Sequence, residues 1–524
     1  MVRSLLLMGA VFAGSPLLIA APKALNFDLV VYGSTPSGIM TALAAARSGL
    51  KVALVDKAPH VGGMVTSGLS YTDRGNTETI GGIPREFFER VGRHYNEPVV
   101  WGFEPHVAEQ VLDDMLQQAH VQVFLDARLR ETHGVEKKGT RILRILTEDG
   151  SAFSAQEFVD STYDGDLMNQ AGVSNTWGRE AASQYKESLA GVLSTLRLDL
   201  QFRTKVSPYA ADGSLLPGVS SLPKGELGQG DKKVPAYNFR FCFSHDKADQ
   251  VPYPRPDGYD PKQYELLARY LPALEKARGR ELQLKDVFLI EPLKGNKADF
   301  NNMGAFSTDQ IGVNWDYPAA SYKRKEEIVK ALHQYDEGLL YFIAHDPRVP
   351  ASLQKEMNEW GMAKDEFTDT GHWPWRMYVR EARRMVSDFV FTQHDVLDDS
   401  KKPDSIGMGS YQMDSHNVQR VATADGGVEN EGDMYATDDP YEIPYRAIVP
   451  KRTEATNLLV PVCVSASHAA YGTIRQEPVF MIVGQATGDA AAIAVHQHVD
   501  VQDVPASTLQ TQLLAEHVVL HWHR

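Results

Sequence analysis

Two glycines and an acid carry the first chemical possibility in this chain. Gly33 and Gly38 bracket a turn in Asp28-Leu-Val-Val-Tyr-Gly-Ser-Thr-Pro-Ser-Gly38, after which an Ala-rich stretch closes at Gly49 and a second apolar run, Lys51–Val55, ends at Asp56. A strand that turns sharply into a helix aims the free N–H groups of the helix start at a pyrophosphate, and the helix dipole favours the negative charge there. An acid at the tip of the next strand is placed to accept hydrogen bonds from an adenosine ribose. The elements occur in the order strand, turn, helix, strand, acid, and they predict a dinucleotide site built on Gly33, Ser34, Thr35, Pro36, Ser37, Gly38, Asp56 and Lys57. Thr35 stands where the fingerprint wants its middle glycine, so backbone approach to the phosphates is less free and the Thr35 hydroxyl is the expected substitute donor.

Other side chains have the right types for catalysis. Arg380, Glu381, Arg383 and Arg384 fall at helical spacing, which predicts that Arg380 and Arg384 share a face able to clamp a carboxylate; the more frequent use of such a set is an ion-pair network between lobes. His468 offers an imidazole that titrates near neutrality and can take a hydroxyl proton, with His372, Tyr411, Asp414 and His416 as weaker candidates on loops that could face a cleft. His468 has a second possible role, holding its own turn. Arg475 and Gln476 precede a small-residue helix, where Arg475 either stabilises negative charge or pairs with Glu477. The pairs His496/His498 and His521/His523 lack a third ligand at suitable spacing, so no metal is expected.

Composition bounds what these residues serve. The 524-residue chain has 53 Lys and Arg against 68 Asp and Glu, a formal charge of −15, which is too acidic for nucleic-acid binding. At 43% hydrophobic and 23% charged residues it reads as globular. Cys242 and Cys463 are its only cysteines, which excludes a disulfide scaffold and a Cys-rich metal site. Met1–Ala21, with Arg3 ahead of an uncharged run broken by Gly14-Ser-Pro16, reads as a secretory signal removed near Ala20–Ala24, the alternative being an uncleaved N-terminal anchor; either predicts a secreted or periplasmic protein with no later membrane span. No other βαβ unit in the chain carries an intact Gly-x-Gly-x-x-Gly, so no separate nicotinamide domain is expected, and electrons from any redox cofactor held at the first unit would leave to oxygen, a quinone or a small protein.

The residues after Asp56 select the dinucleotide. His60-Val-Gly-Gly-Met-Val-Thr-Ser67, with the doublet Gly62-Gly63, resembles the second FAD signature of two-dinucleotide-binding-domain flavoproteins. Later pieces add to it: Glu157-Phe-Val-Asp-Ser-Thr-Tyr-Asp-Gly-Asp166, Tyr378-Val-Arg-Glu-Ala-Arg-Arg384, Ser465-Ala-Ser-His468, and Glu477-Pro-Val-Phe-Met481 leading to Gly484-Gln-Ala486. Together they are similar to a group of exported bacterial FAD-dependent oxidoreductases, glutathione-reductase-like in fold, some of whose members are labelled xanthan lyase. The likeness runs from about Phe27 to Leu514, with Val462 at a position where the family commonly has glycine. It implies an α/β fold whose discontinuous Rossmann-like FAD-binding domain spans about 24–175 and 436–500, an inserted α+β substrate or cap domain over 176–435, and a tail over 501–524. It also implies cofactor contacts at Gly62, Gly63, Met64, Thr66, Leu129, Asp164, Gly165, Ser467, Arg475 and Gln476, and puts His468 near the flavin; with the residue types noted above, catalysis is expected from His468, Arg380 and His416. The implied function is hydride exchange between flavin and a small polar or sugar-like substrate; the alternative is polysaccharide elimination with a structural or transiently redox-active FAD.

Overall fold

Val30 and Val31 in Leu29–Tyr32 (β1) are buried together with both neighbours, as a strand covered on both faces requires. In the computed structural model, which describes residues 23–194, 197–398, 401–436 and 439–522, β1 is the centre of a five-stranded parallel sheet. The expected leader and His523 lie outside the described residues. The sheet runs Leu458–Leu459 (β5), Glu157–Asp160 (β4), β1, Val52–Val55 (β2), Gln122–Phe124 (β3). One sheet thus joins strands from both ends of the chain, so this unit is discontinuous. The β3 and β5 strands are shorter than the apolar runs at 122–129 and 457–464 suggest; Leu129 makes only an isolated bridge to Thr147.

Pro36–Arg47 (α1) packs against Glu477–Gln497 (α4) with almost no side chain between them. A Cβ on Gly484 would come 2.3 Å from Ser37 O, and one on Gly488 would come 2.3 Å from Thr41 O. Thr41 Oγ1 donates to Gly484 O at 2.8 Å. By length and composition α4 could cross a bilayer, contrary to the expectation that no later segment would, but it is entirely buried in the protein. Its apolar surface is spent on the core.

The middle of the chain forms a second lobe around a five-stranded antiparallel sheet in the order 250–251, 361–363, 241–244, 297–302, 288–292, backed by the long helix Tyr322–His345 (α2). Residues 405–409 pair with 441–444, and the short helix His468–Ile474 (α3) leads into α4. The expected tail is folded: Ala506–Ala515 is a helix, and Gly82 N–H donates to His517 O.

Candidate functional site

The turn expected to hold a dinucleotide has the geometry its glycines demand. Gly33 sits at φ +108°, and a Cβ there would lie 2.7 Å from the Ser161 carbonyl carbon; one on Gly38 would lie 1.9 Å from Gly33 O. Only glycine allows this approach of turn, helix and β4. Thr35 caps α1, accepting from Gly38 N–H at 3.3 Å, and donates to Ser161 O at 2.7 Å. Its hydroxyl is therefore occupied, and the expectation that it would substitute as a phosphate donor is corrected. Asp56 Oδ2 accepts from Ser34 N–H at 2.5 Å and Ser34 Oγ at 2.8 Å, while Oδ1 accepts from Ala58 N–H at 2.8 Å.

The Gly62–Ser67 loop lies directly against this turn. A Cβ on Gly63 would meet the Tyr163 hydroxyl at 2.6 Å and Pro36 Cδ at 3.0 Å. Tyr163 Oη accepts from Met64 N–H at 3.1 Å and donates to Glu477 Oε1 at 2.7 Å. Thr66 Oγ1 donates to Val61 O. The starts of α1 and α4 thus converge on one spot, and burial there pushes the Glu477 carboxyl up to about 8.

From that spot a cavity of about 710 Å³ opens beyond the carboxyl ends of β2, β3 and β4, lined by Lys57, Asp126, Arg128, Tyr163, Asp164 and Arg376 among others. Nucleotides in open α/β sheets bind at that end, and the volume suits a large ligand. Lys57 pairs with Asp164, and Lys325 and Arg383 of the second lobe reach Asp166 at 3.1 Å each. Burial, which by itself would raise the Asp164 carboxyl, is overcome by Lys325 and Lys57, and the group stays ionised. Gly165, at φ +65°, begins the short helix behind these acids.

Several polar atoms around the two helix starts are buried with no partner among the described residues: Ser37 Oγ, Ser161 Oγ, Asp164 Oδ1, Gln476 Oε1 and Glu477 Oε2. Leaving one such group unsatisfied costs about 1–3 kcal/mol. A long polar ligand running from the cavity past Asp56 to Glu477 fits that set. Leu129 and Ser467 are placed otherwise: Leu129 N–H donates to the Tyr32 hydroxyl beneath the sheet end, and Ser467 caps Ala470 N–H and donates to Glu187.

The catalytic candidates divide into two networks. The helix expected at 380–384 is absent; Tyr378 bridges Asn238 and Arg384–Met385 is a strand, so each side chain departs in a different direction. Arg380 meets Asp309 Oδ1 at 2.9 Å, and His416 Nδ1 lies 2.7 Å from Asp309 Oδ2. His416 Nε2 faces Asp414 at 3.6 Å; Asp414 also binds Arg475 at 2.7 Å, and Arg475 donates to the Tyr378 hydroxyl at 2.9 Å. Arg475 therefore does not form the surface pair with Glu477. Burial, with Arg380 next, brings His416 down to about 4.

His468 belongs to the other network. Its Nδ1 is 2.7 Å from Glu381, which also binds Arg384, and its backbone N–H donates to Glu180 at 2.9 Å. Burial holds this imidazole down at about 3, and Nε2 has no partner among the described residues. Arg384 reaches Glu180 at 2.5 Å, and Arg383 goes to Asp166, so no pair of these arginines forms a carboxylate clamp. His372 Nδ1 lies 3.2 Å from Glu366 O, Tyr411 donates to Asp73 at 3.0 Å, and His496 and His498 are exposed. Glu104, His106, Asp365 and Glu366 cluster at ligand distance from one another, but the Lys297 ammonium sits among them, 2.6–3.0 Å from the three carboxylates.

Over residues 28–513 the chain matches the family described as FAD dependent oxidoreductase. It is 30% identical over 142 residues to a soluble pyridine nucleotide transhydrogenase of Chromohalobacter salexigens, covering 26% of this chain and 30% of that relative. Among solved structures it is similar to a geranylgeranyl bacteriochlorophyll reductase-like protein of Thermoplasma acidophilum, at 11% identity, TM-score 0.36, and 94% and 84% coverage of the two chains. A thioredoxin reductase of Streptococcus pyogenes matches at 18% identity and TM-score 0.19 over 30% of this chain and 40% of that one.

Proposed function

The chain belongs to the FAD dependent oxidoreductase family, and from that premise we propose that it oxidises a small, neutral, hydroxyl-bearing substrate, a polyol or sugar, in an extracytoplasmic compartment. FAD, when bound, supplies a two-electron acceptor for hydride. The chain's share is to hold the substrate hydroxyl and its proton. His416 is neutral above about pH 4, and with Nδ1–H directed at Asp309 its Nε2 is the free base.

The observation that carries this reading is charge matching. Arg380 is bound to Asp309, Arg475 to Asp414, and Arg240 to Asp299 and Glu291. A carboxylate substrate would find no uncompensated guanidinium in this cluster, whereas hydroxyls find acceptors. Nothing in the cluster favours eliminative cleavage of an acidic polysaccharide, which calls on a spare cation for the uronate.

The test is anaerobic bleaching of the flavin by a panel of neutral sugars, polyols and hydroxy acids, with unsaturated products monitored in parallel. Bleaching by neutral members is expected; bleaching confined to hydroxy acids defeats the substrate class, and an unsaturated product without bleaching defeats the reaction. Asp309→Asn, which releases Arg380, is expected to shift preference toward hydroxy acids by roughly tenfold, the effect of one modest charge-assisted contact. The compartment rests on the composition of residues 1–21, and N-terminal sequencing of protein from fractionated cells checks it.

A further inference from the structure

We infer that Arg376, carried by the second lobe, is the counter-ion of the FAD pyrophosphate, acting with Ser37 at the start of α1. The assignment rests on FAD binding and goes beyond the glycine turn itself.

A pyrophosphate needs donors and positive charge, and both usual sources are depleted here. Thr35 replaces the glycine that would let the backbone close in, and its hydroxyl is committed to Ser161 O and Gly38 N–H. The glycine-doublet loop His60–Gly68 contains neither Lys nor Arg. Lys57, the nearest cation along the chain, is bound to Asp164 and 3.9 Å from Asp166.

Arg376 is delivered to this depleted place by the loop it complements. Its backbone N–H donates to Ser67 Oγ at 2.8 Å, and the neighbouring Trp375 indole donates to Thr66 O at 3.1 Å. The guanidinium lines the cavity and reaches Asp56 Oδ1 at 3.2 Å, the same carboxylate that binds Ser34 of the Gly33–Gly38 turn. It lies over the rings of Tyr163 and Trp375, 5.6 and 5.1 Å from their centroids, which fixes its plane. Asp56 already accepts three donors from Ser34 and Ala58, so it does not depend on Arg376. Guanidinium has five N–H donors, and one on Asp56 leaves the rest for an anion. Burial works against its charge, but Asp56 and its neighbours outweigh that, and the cation persists. Ser37 Oγ, fully buried in the first turn of α1 and without a partner among the described residues, is a second donor left over at the helix start. Because Arg376 belongs to the second lobe, FAD binding also ties that lobe to the sheet.

The test uses purified full-length holoprotein, following FAD release by the rise in flavin fluorescence on dilution, and displacement of FAD by ADP and by adenosine. Arg376→Gln is expected to release FAD roughly 100-fold faster, the loss of charge-assisted hydrogen bonds. Arg376→Lys should recover part of this, and Ser37→Ala should cost roughly fivefold, one neutral hydrogen bond. Wild type should prefer ADP over adenosine as a displacer, and Arg376→Gln should lose that preference. Unchanged FAD release from Arg376→Gln, or a retained ADP preference in it, overturns the assignment and leaves FAD binding standing. A wild type that takes up no FAD overturns both. Should Arg376→Gln not fold, the graded Arg376→Lys and Ser37→Ala variants decide, and wild-type release rates in both overturn the assignment.

Discussion

His416 and His468 make the same first bond and sit in different company. Each ring has Nδ1 2.7 Å from a buried carboxylate, Asp309 or Glu381, and burial keeps each neutral. Around His416 the chain of contacts runs Arg380, Asp309, His416, Asp414, Arg475, ending at the residue before Gln476 and α4. Around His468 it runs Glu381, Arg384, Glu180, and Arg384 continues to the carbonyls of Ala466 and Gly178. The first network ends beside the starts of the two converging helices; the second ties backbone segments of the two lobes together. A buried imidazole on a carboxylate thus recurs in both networks, and what distinguishes the two is where the other members lead.

The largest expected effect separates these roles. His416→Ala should slow flavin reduction by a bleaching substrate about 10³-fold, the usual share of a general base, with FAD retained. His468→Ala should change that rate less than tenfold. Rapid-mixing absorbance measurements on both variants check this, and an equal loss in the two would erase the distinction. Next in size, Arg384→Ala leaves the buried Glu180 and Glu381 without their cation and should lower stability by about 3–5 kcal/mol, read from denaturant unfolding. If Arg384→Ala instead melts like wild type, the His468 network is not a tie between lobes.

Legibility in the sequence is a matter of locality. The β1–α1–β2 unit is legible because its glycines, its small-residue helix and Asp56 act within one contiguous stretch, and the structure puts each at the turn. The meeting of Arg380 with His416 is not legible, since they join only through Asp309, 107 residues before His416. The 380–384 segment misleads by period alone. Four of its five residues are charged, and a helix so charged has no apolar stripe to bury; that was the available sign of an extended run whose successive side chains serve different acids. Arg376 leaves a fainter sign, the absence of any cation in the glycine-doublet loop it complements. Nothing local marks it, because its partners Asp56 and Ser67 lie some 300 residues earlier.

The smallest expected effect is one of pH, and it tests whether both rings are as buried and neutral as the pairing of the two networks requires. Unfolded, each histidine titrates near its ordinary value of about 6.5; folded, His416 titrates at about 4 and His468 at about 3. The folded values are depressed, so the unfolded state binds more protons between them, and the stabilisation is complete above pH 6.5 and lost as pH falls toward 4. At pH 5 each ring should cost about 2 kcal/mol relative to pH 8. His468→Gln should remove its share of that acid loss while leaving stability at pH 8 within about 1 kcal/mol, a range set by exchanging one neutral hydrogen-bonding group for another. In wild type, flavin reduction should show no acid limb near pH 6.5, because His416 is already the free base well below it. Urea unfolding of both proteins at pH 5 and pH 8, with the rate profile between, decides this; an acid limb near 6.5 would mean that His416 is solvated and charged in the working enzyme, and the two networks would then differ in hydration as well as in reach.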